Sequence, residues 1–160
     1  LMKIIDKILI DVIPNQQTPE TDKIDDVNQF ISDNRETLDR FMAYAESRTD
    51  AAGLAANQVS FDNERLNLRC FAYREGAISA KWRLIIDPVI TEYMGLKEEK
   101  SEGCLTWRGK QIIAERTRRV KVSYYTIDGN KIEDEVYSGF AAQVWQHEIN
   151  HLNGVEERVE

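Results

Sequence analysis

Apolar residues near the start of the chain recur at helical spacing. Val27, Phe30, Ile31, Leu38, Phe41, Met42 and Ala45 fall mostly at steps of three, four and seven, with polar and charged residues between them. That stripe predicts an amphipathic helix from about Asp25 to Ser47. Ahead of it, an aliphatic run at 4–13 gives way to a polar stretch at 14–21. This stretch holds Pro14 and Pro19 and is expected to be a surface loop. Small residues dominate from Ala51 to Ala56, where backbone can come close to another group. Arg69 to Arg74, Trp82 to Ile86 and Val120 to Tyr125 have strand-like patterns. Ile127-Asp128-Gly129-Asn130 signals a hairpin turn that returns through 131–137. A last helix is expected from Ser138, as N-cap, to about Asn153, with Gly154 as its stop. The order predicts an α+β fold, with short antiparallel strands packed around a C-terminal helix and a long helix N-terminal to them. No repeat or linker divides the chain, so 1–160 is expected to form a single domain.

Composition narrows the function classes. A chain of 160 residues can bury one core without disulfide staples. The formal net charge is -7, from 21 Lys and Arg against 28 Asp and Glu, which argues against a nucleic-acid platform. No segment approaches the roughly 20 apolar residues of a membrane span. The first 14 residues lack a signal-peptide core. With only Cys70 and Cys104, a disulfide framework is excluded, and a reducing, cytoplasmic setting is expected. Cys70 lies in a strand run beside Phe71 and is expected in the core.

The chain has two histidines, His147 and His151, and both belong to the terminal helix. Residues four apart share a helix face, so both imidazoles can meet one metal ion, with Glu148 beside it. Phe140 and Val144 continue that face. A catalytic divalent ion generally takes three protein ligands and keeps one position open. Only nine residues follow His151, none a histidine, and Glu156, Glu157 and Glu160 are too near the helix end to be expected to fold back. Upstream, Glu102-Gly103-Cys104-Leu105-Thr106 offers a thiolate. Cys104, His147 and His151 therefore make a credible tetrahedral set, suited to Zn(II), Fe(II), Ni(II) or Co(II).

Three segments, in order, resemble the motifs of the peptide deformylase family. Gly53-Leu54-Ala55-Ala56-Asn57-Gln58 resembles its glycine-rich motif, Glu102 to Thr106 its cysteine motif, and Gln146 to His151 its metal-binding helix. Arg116, Val120 to Tyr125 and Asp128-Gly129 resemble the arginine and hairpin between the last two. The likeness runs from about Ala51 to Gly154. Departures are Ala51 for the usual Gly, Thr106 for Ser, Trp107-Arg108 for an aliphatic-proline pair, Asn150 for Asp and Asp87 for Asn. The C-terminal extension of many bacterial members is also lacking.

The resemblance implies removal of formyl from N-formylmethionyl nascent peptides, with formate as product. It implies water activated by the ion as nucleophile and Glu148 as general base and acid. Gln58 and the Leu105 backbone N–H would stabilise the oxyanion. It places Ala52, Gly53, Gly103, Arg116, Phe140 and Val144 in substrate binding, Arg116 as a peptide-carbonyl contact. It favours Fe(II) as the working metal. A monomer is expected, with at most weak ribosome contact and neither nucleic acid nor membrane as partner. Two other readings compete: a metallopeptidase cutting internal bonds, and a non-catalytic binder of formyl-Met chain ends. The missing downstream ligand opposes the first, and the intact Glu148 opposes the second.

Overall fold

The computed structural model describes residues 10–76 and 80–160. Most of the aliphatic run expected at 4–13 lies outside the described residues, and its end, Ile10–Val12, is strand β1. Helix α1 spans Val27–Ser47. It starts two residues later than the spacing suggests, because the Asp26 carboxylate accepts from the Gln29 N–H at 3.1 Å. That bond satisfies one of the donors every helix start leaves unpaired.

The strands follow as β2 (Gly53–Ala55), β3 (Val59–Phe61), β4 (Glu64–Arg65), β5 (Cys70–Tyr73), β6 (Arg83–Glu102), β7 (Ile112–Tyr125) and β8 (Lys131–Ser138). Helix α2 (Phe140–Leu152) and strand β9 (Arg158–Val159) complete the chain. Strands β1, β3 and β4 form one small sheet. A larger sheet runs β2-β5-β6-β7-β8, with β9 added beside β7. Every pairing is antiparallel.

The larger sheet is covered on both faces where it crosses the centre. All four residues of β5 are buried. Cys70 and Ala72 join Leu54, Leu84 and Ile86 in a core shared with Leu38, Phe41 and Ala45 of α1. Phe71 and Tyr73 join Ala55, Ile85 and Val122 in a second core with Trp145, Ile149 and Leu152 of α2. Alternate residues of one strand thus serve opposite helices, as the two-residue period requires. Trp145 anchors the second core, stacked on Tyr137 at 4.4 Å and edge-on to Phe71 at 5.0 Å. Cys70 sits in the first core, as expected from its strand run.

The α+β class holds, but two strands are longer than the hydrophobic pattern indicated. β6 continues far beyond Asp87-Pro88. A register shift between Ile86 and Val89, with Asp87 at φ 49°, carries the ladder past the proline. Beyond it β6 is mostly exposed and polar, so no alternation marks it. The hairpin at 127–130 forms as expected, closed by the Thr126 N–H on the Asn130 carbonyl at 2.9 Å. Ser138 is not the N-cap of α2. It stays in the β7–β8 ladder opposite Arg119, and Gly139, at φ 62°, makes the turn into the helix. Gly154, at φ 65°, follows the helix end.

α2 is locked to β7 by one side chain. Gln146 accepts from the Thr117 N–H at 3.0 Å and donates to the Thr117 carbonyl at 3.0 Å, as a neighbouring strand would. This pairing sets the depth of His147 against the far end of β6. Among the described residues, no helix is long and apolar enough to cross a membrane.

Candidate active site

Cys104, His147 and His151 come together at the junction of the turn after β6 with α2. Their donor atoms lie within 4.8 Å of one another, and theirs is the cluster among the described residues that could hold a metal ion. The two Nε2 atoms are 3.1 Å apart, and the Cys104 Sγ is 3.4 Å from His151 Nε2. A tetrahedral ion with bonds of about 2.0–2.3 Å needs edges of about 3.3–3.6 Å between its ligands, and the two separations of 3.1 and 3.4 Å are within a few tenths of an ångström of that range. All three ligands expected from the sequence are therefore brought together.

Each imidazole turns its Nδ1 outward. His147 Nδ1 lies 2.9 Å from Glu102 Oε1. Glu102 is clamped from behind by Arg116, whose Nε and Nη2 donate to its two oxygens at 3.1 and 2.8 Å. Burial works against a charge on Glu102, but His147 and Arg116 overcome it and hold its pKa down to about 2. The ionised carboxylate can thus accept from Nδ1 and leave Nε2 free as a ligand atom. Burial also opposes a proton on His147, yet Cys104 and Glu102 raise its pKa, while burial and the charge of His147 lower that of His151.

This geometry corrects two expectations. Arg116 is 5% exposed, does not line the cleft, and spends its guanidinium on Glu102. It holds the carboxylate that meets His147 rather than reaching the cleft. The tail does fold back: the Glu157 side chain is buried and its Oε1 lies 3.4 Å from His151 Nδ1. Sequence reasoning passed over Glu102 as an actor, although it stands two residues before Cys104. An acidic residue that near a candidate ligand was the available signal.

Glu148 is buried, and its Oε1 has no hydrogen-bond partner among the described residues. Burial pushes its pKa up to about 7. Gln58 is held in one orientation: its Oε1 accepts from the Ala55 N–H at 2.8 Å. Its amide NH2 therefore faces the Thr106 hydroxyl at 3.1 Å and the Cys104 sulfur at 3.5 Å. A cleft of about 360 Å3 opens beside these groups. Ala52, Gly53, Gly103, Leu105, Phe140 and Val144 line it with Glu148 and Gln58. Phe140 is 60% exposed at its rim, and Val144 is buried.

Gly53 is required for space. A Cβ there would sit 2.7 Å from Glu148 Oε2 and 2.9 Å from Val144 Cγ1. Gly53→Ala is expected to push the Glu148 carboxylate aside and slow turnover about 10²-fold, the scale of a misplaced catalytic group. Metal analysis of the same sample should show unchanged content, since no ligand is touched.

A buried carboxylate with one unpartnered oxygen beside a Cys-His-His set is the pattern of a metallohydrolase, with β2 along one wall of its cleft. The family model for polypeptide deformylases matches residues 12–156. A curated peptide deformylase of Thermotoga maritima is 35% identical over 129 residues, covering 81% of this chain and 73% of that protein. The crystal structure of a Synechococcus elongatus peptide deformylase with actinonin superposes with TM-score 0.69 at 29% identity, covering 91% of this chain and 77% of the other. The enzyme of the Vibrio parahaemolyticus bacteriophage VP16T, also solved with actinonin, gives TM-score 0.66 at 26% identity, covering 90% and 97%. The chain belongs to the polypeptide deformylase family, enzymes that remove the formyl group from N-formylmethionyl peptides and depend on a metal ion.

Proposed function

We propose that residues 1–160 act as one catalytic unit in which Cys104, His147 and His151 hold Fe(II), Glu148 moves the proton, and Gln58 and Leu105 receive the oxyanion. The observation that carries this reading is the convergence of three candidate ligand atoms, a buried carboxylate with one unpartnered oxygen and an oriented amide beside one cleft. When bound, a divalent cation supplies Lewis acidity, polarising the formyl carbonyl and making water ionisable near neutral pH.

Glu148 takes the proton of the attacking water and delivers it to the amine nitrogen as the C–N bond breaks. Its pKa near 7 suits both directions of transfer. The negative charge that develops on the formyl oxygen meets the Gln58 NH2, which the Ala55 N–H keeps turned toward the cleft. The Leu105 N–H makes no hydrogen bond to another described residue and is a second donor at the cleft wall. Each such donor is worth about 2.7–4 kcal/mol of barrier.

β2 pairs with β5 along one edge, and its other edge is unpaired among the described residues. Ala52 and Gly53 present that edge to the cleft with little side chain, which supports the substrate backbone adding as a strand. Val144, Phe140 and the backbone at Gly103 form the wall for the methionine side chain. The acidic charge supports at most weak ribosome contact, the low cysteine content supports a cytoplasmic setting, and a monomer is the default state.

The choice of Fe(II) rests on the family resemblance, since thiolate and imidazole donors also suit Zn(II), Ni(II) and Co(II). Chain stripped of metal and reloaded without oxygen tests it. Formate release from formyl-Met-Ala-Ser should be faster with one equivalent of Fe(II) than with Zn(II), and should decline on exposure to air. A Zn(II) form that is faster and stable in air contradicts the assignment.

A further inference from the structure

The tail beyond α2 does not leave the domain. The Gln111 N–H donates to the Glu160 carbonyl at 2.7 Å, and the Glu160 N–H returns to Gln111 at 2.8 Å. Between these bonds and the helix end, β9 pairs with the start of β7. Side chains there alternate, Arg158 outward and Glu157 inward. The Glu157 side chain is 8% exposed. Its Oε2 accepts from the Trp107 indole N–H at 2.8 Å, and its Oε1 lies 3.4 Å from His151 Nδ1. Trp107 stands three residues after Cys104, in the segment that departs from the family pattern. The departure and the tail carboxylate thus meet in space.

We infer that Glu157, aimed by Trp107, is a positioning residue for His151, the counterpart of Glu102 on His147. This rests on the reading of Cys104, His147 and His151 as a metal site. The Thr18 hydroxyl also reaches His151 Nδ1, at 3.3 Å, but its one hydrogen goes to the His151 carbonyl at 2.9 Å. Thr18 is therefore the neutral acceptor of the Nδ1 hydrogen bond, and Glu157, at ion-pair distance rather than in a hydrogen bond, is the carboxylate that faces that imidazole. Both ligand histidines then have a carboxylate behind them, one gripped by Arg116 and the other by Trp107. Such partners fix ring orientation and raise ligand basicity, and losing one typically weakens metal binding about 10–100-fold.

The test uses the full chain stripped of metal and titrated with Co(II), whose visible absorption reports ligand geometry. Glu157→Leu is expected to weaken Co(II) binding about 10–100-fold and to shift the absorption bands. Glu157→Gln, which keeps an acceptor oxygen, should restore most of the affinity. Trp107→Phe should weaken binding in the same direction by a smaller factor. Unchanged affinity and spectrum in Glu157→Leu, with only a lower Tm of the metal-free chain, would make Glu157 a tail clasp and overturn the inference. If Glu157→Leu does not fold, parent-like Co(II) binding by Trp107→Phe overturns it equally. The readout is metal binding, so the result is independent of formate release.

Discussion

Glu148→Gln is expected to release formate about 10²–10⁴-fold more slowly than the parent while keeping its metal ion, the range set by loss of a general base. The side chain lies beside a ligand without being one, and the amide has the same shape, so α2 and the three ligands should stay in place. The effect on stability has a definite sign. Burial raises the Glu148 pKa from its ordinary 4.5 to about 7. A carboxylate raised in the folded state opposes folding increasingly as pH climbs from 4.5 toward 7, because the unfolded chain ionises first. Removing it should leave the metal-free variant with the same or a higher Tm at pH 7 and above. Formate assay, metal analysis and thermal unfolding on one preparation check all three points. Near-parent turnover would remove Glu148 from the proposed chemistry.

Cys104→Ala should produce the opposite pattern, with the ion lost on dialysis and activity lost with it. Two imidazoles alone lack the anionic ligand that a closed set of three supplies. The metal-free chain should unfold at nearly the parent temperature, because Cys104 is half-buried in a turn rather than packed in a core. Cys70→Ala is the internal control. Cys70 is fully buried among Ala72, Leu54 and Ile86, and burial pushes its thiol far above the ordinary range. That variant should lose Tm and keep full metal. Metal content that survives dialysis in Cys104→Ala would refute the ligand assignment.

The candidate ligand cluster was legible because histidine is scarce and the i,i+4 spacing puts both imidazoles on one helix face. α1 was legible because its buried residues, Leu38, Phe41 and Ala45, recur on one face. The extent of β6 was not, since bulges and two-sided exposure erase the alternation that marks a strand. Ser138 looked like a cap because residue type carries no information on whether a ladder has already claimed it. Arg116 was misread for a similar reason. Its run, 115–119, is charged except at Thr117, and only the β6–β7 pairing and the Gln146 bond to Thr117 reveal which arginine points inward. Glu157 escaped because its position depends on a two-residue strand pairing with β7, a long-range contact with no local signature.

The arrangement makes the metal site a product of packing. Trp145 and its aromatic neighbours fix the axis of α2, Gln146 fixes its depth on β7, and the β6 ladder delivers Glu102 and then Cys104 to the histidines. Glycine at 53 lets β2 run against Glu148, so the strand that would receive the peptide also confines the base.

One ion on Cys104, His147 and His151 is expected to be what makes this chain release formate. Titrating metal-free protein with Fe(II) under anaerobic conditions, and following formate from formyl-Met-Ala-Ser at each addition, tests it most directly. The rate should rise linearly and level off at one ion per chain. A chain that takes up one ion yet releases no formate would contradict the account.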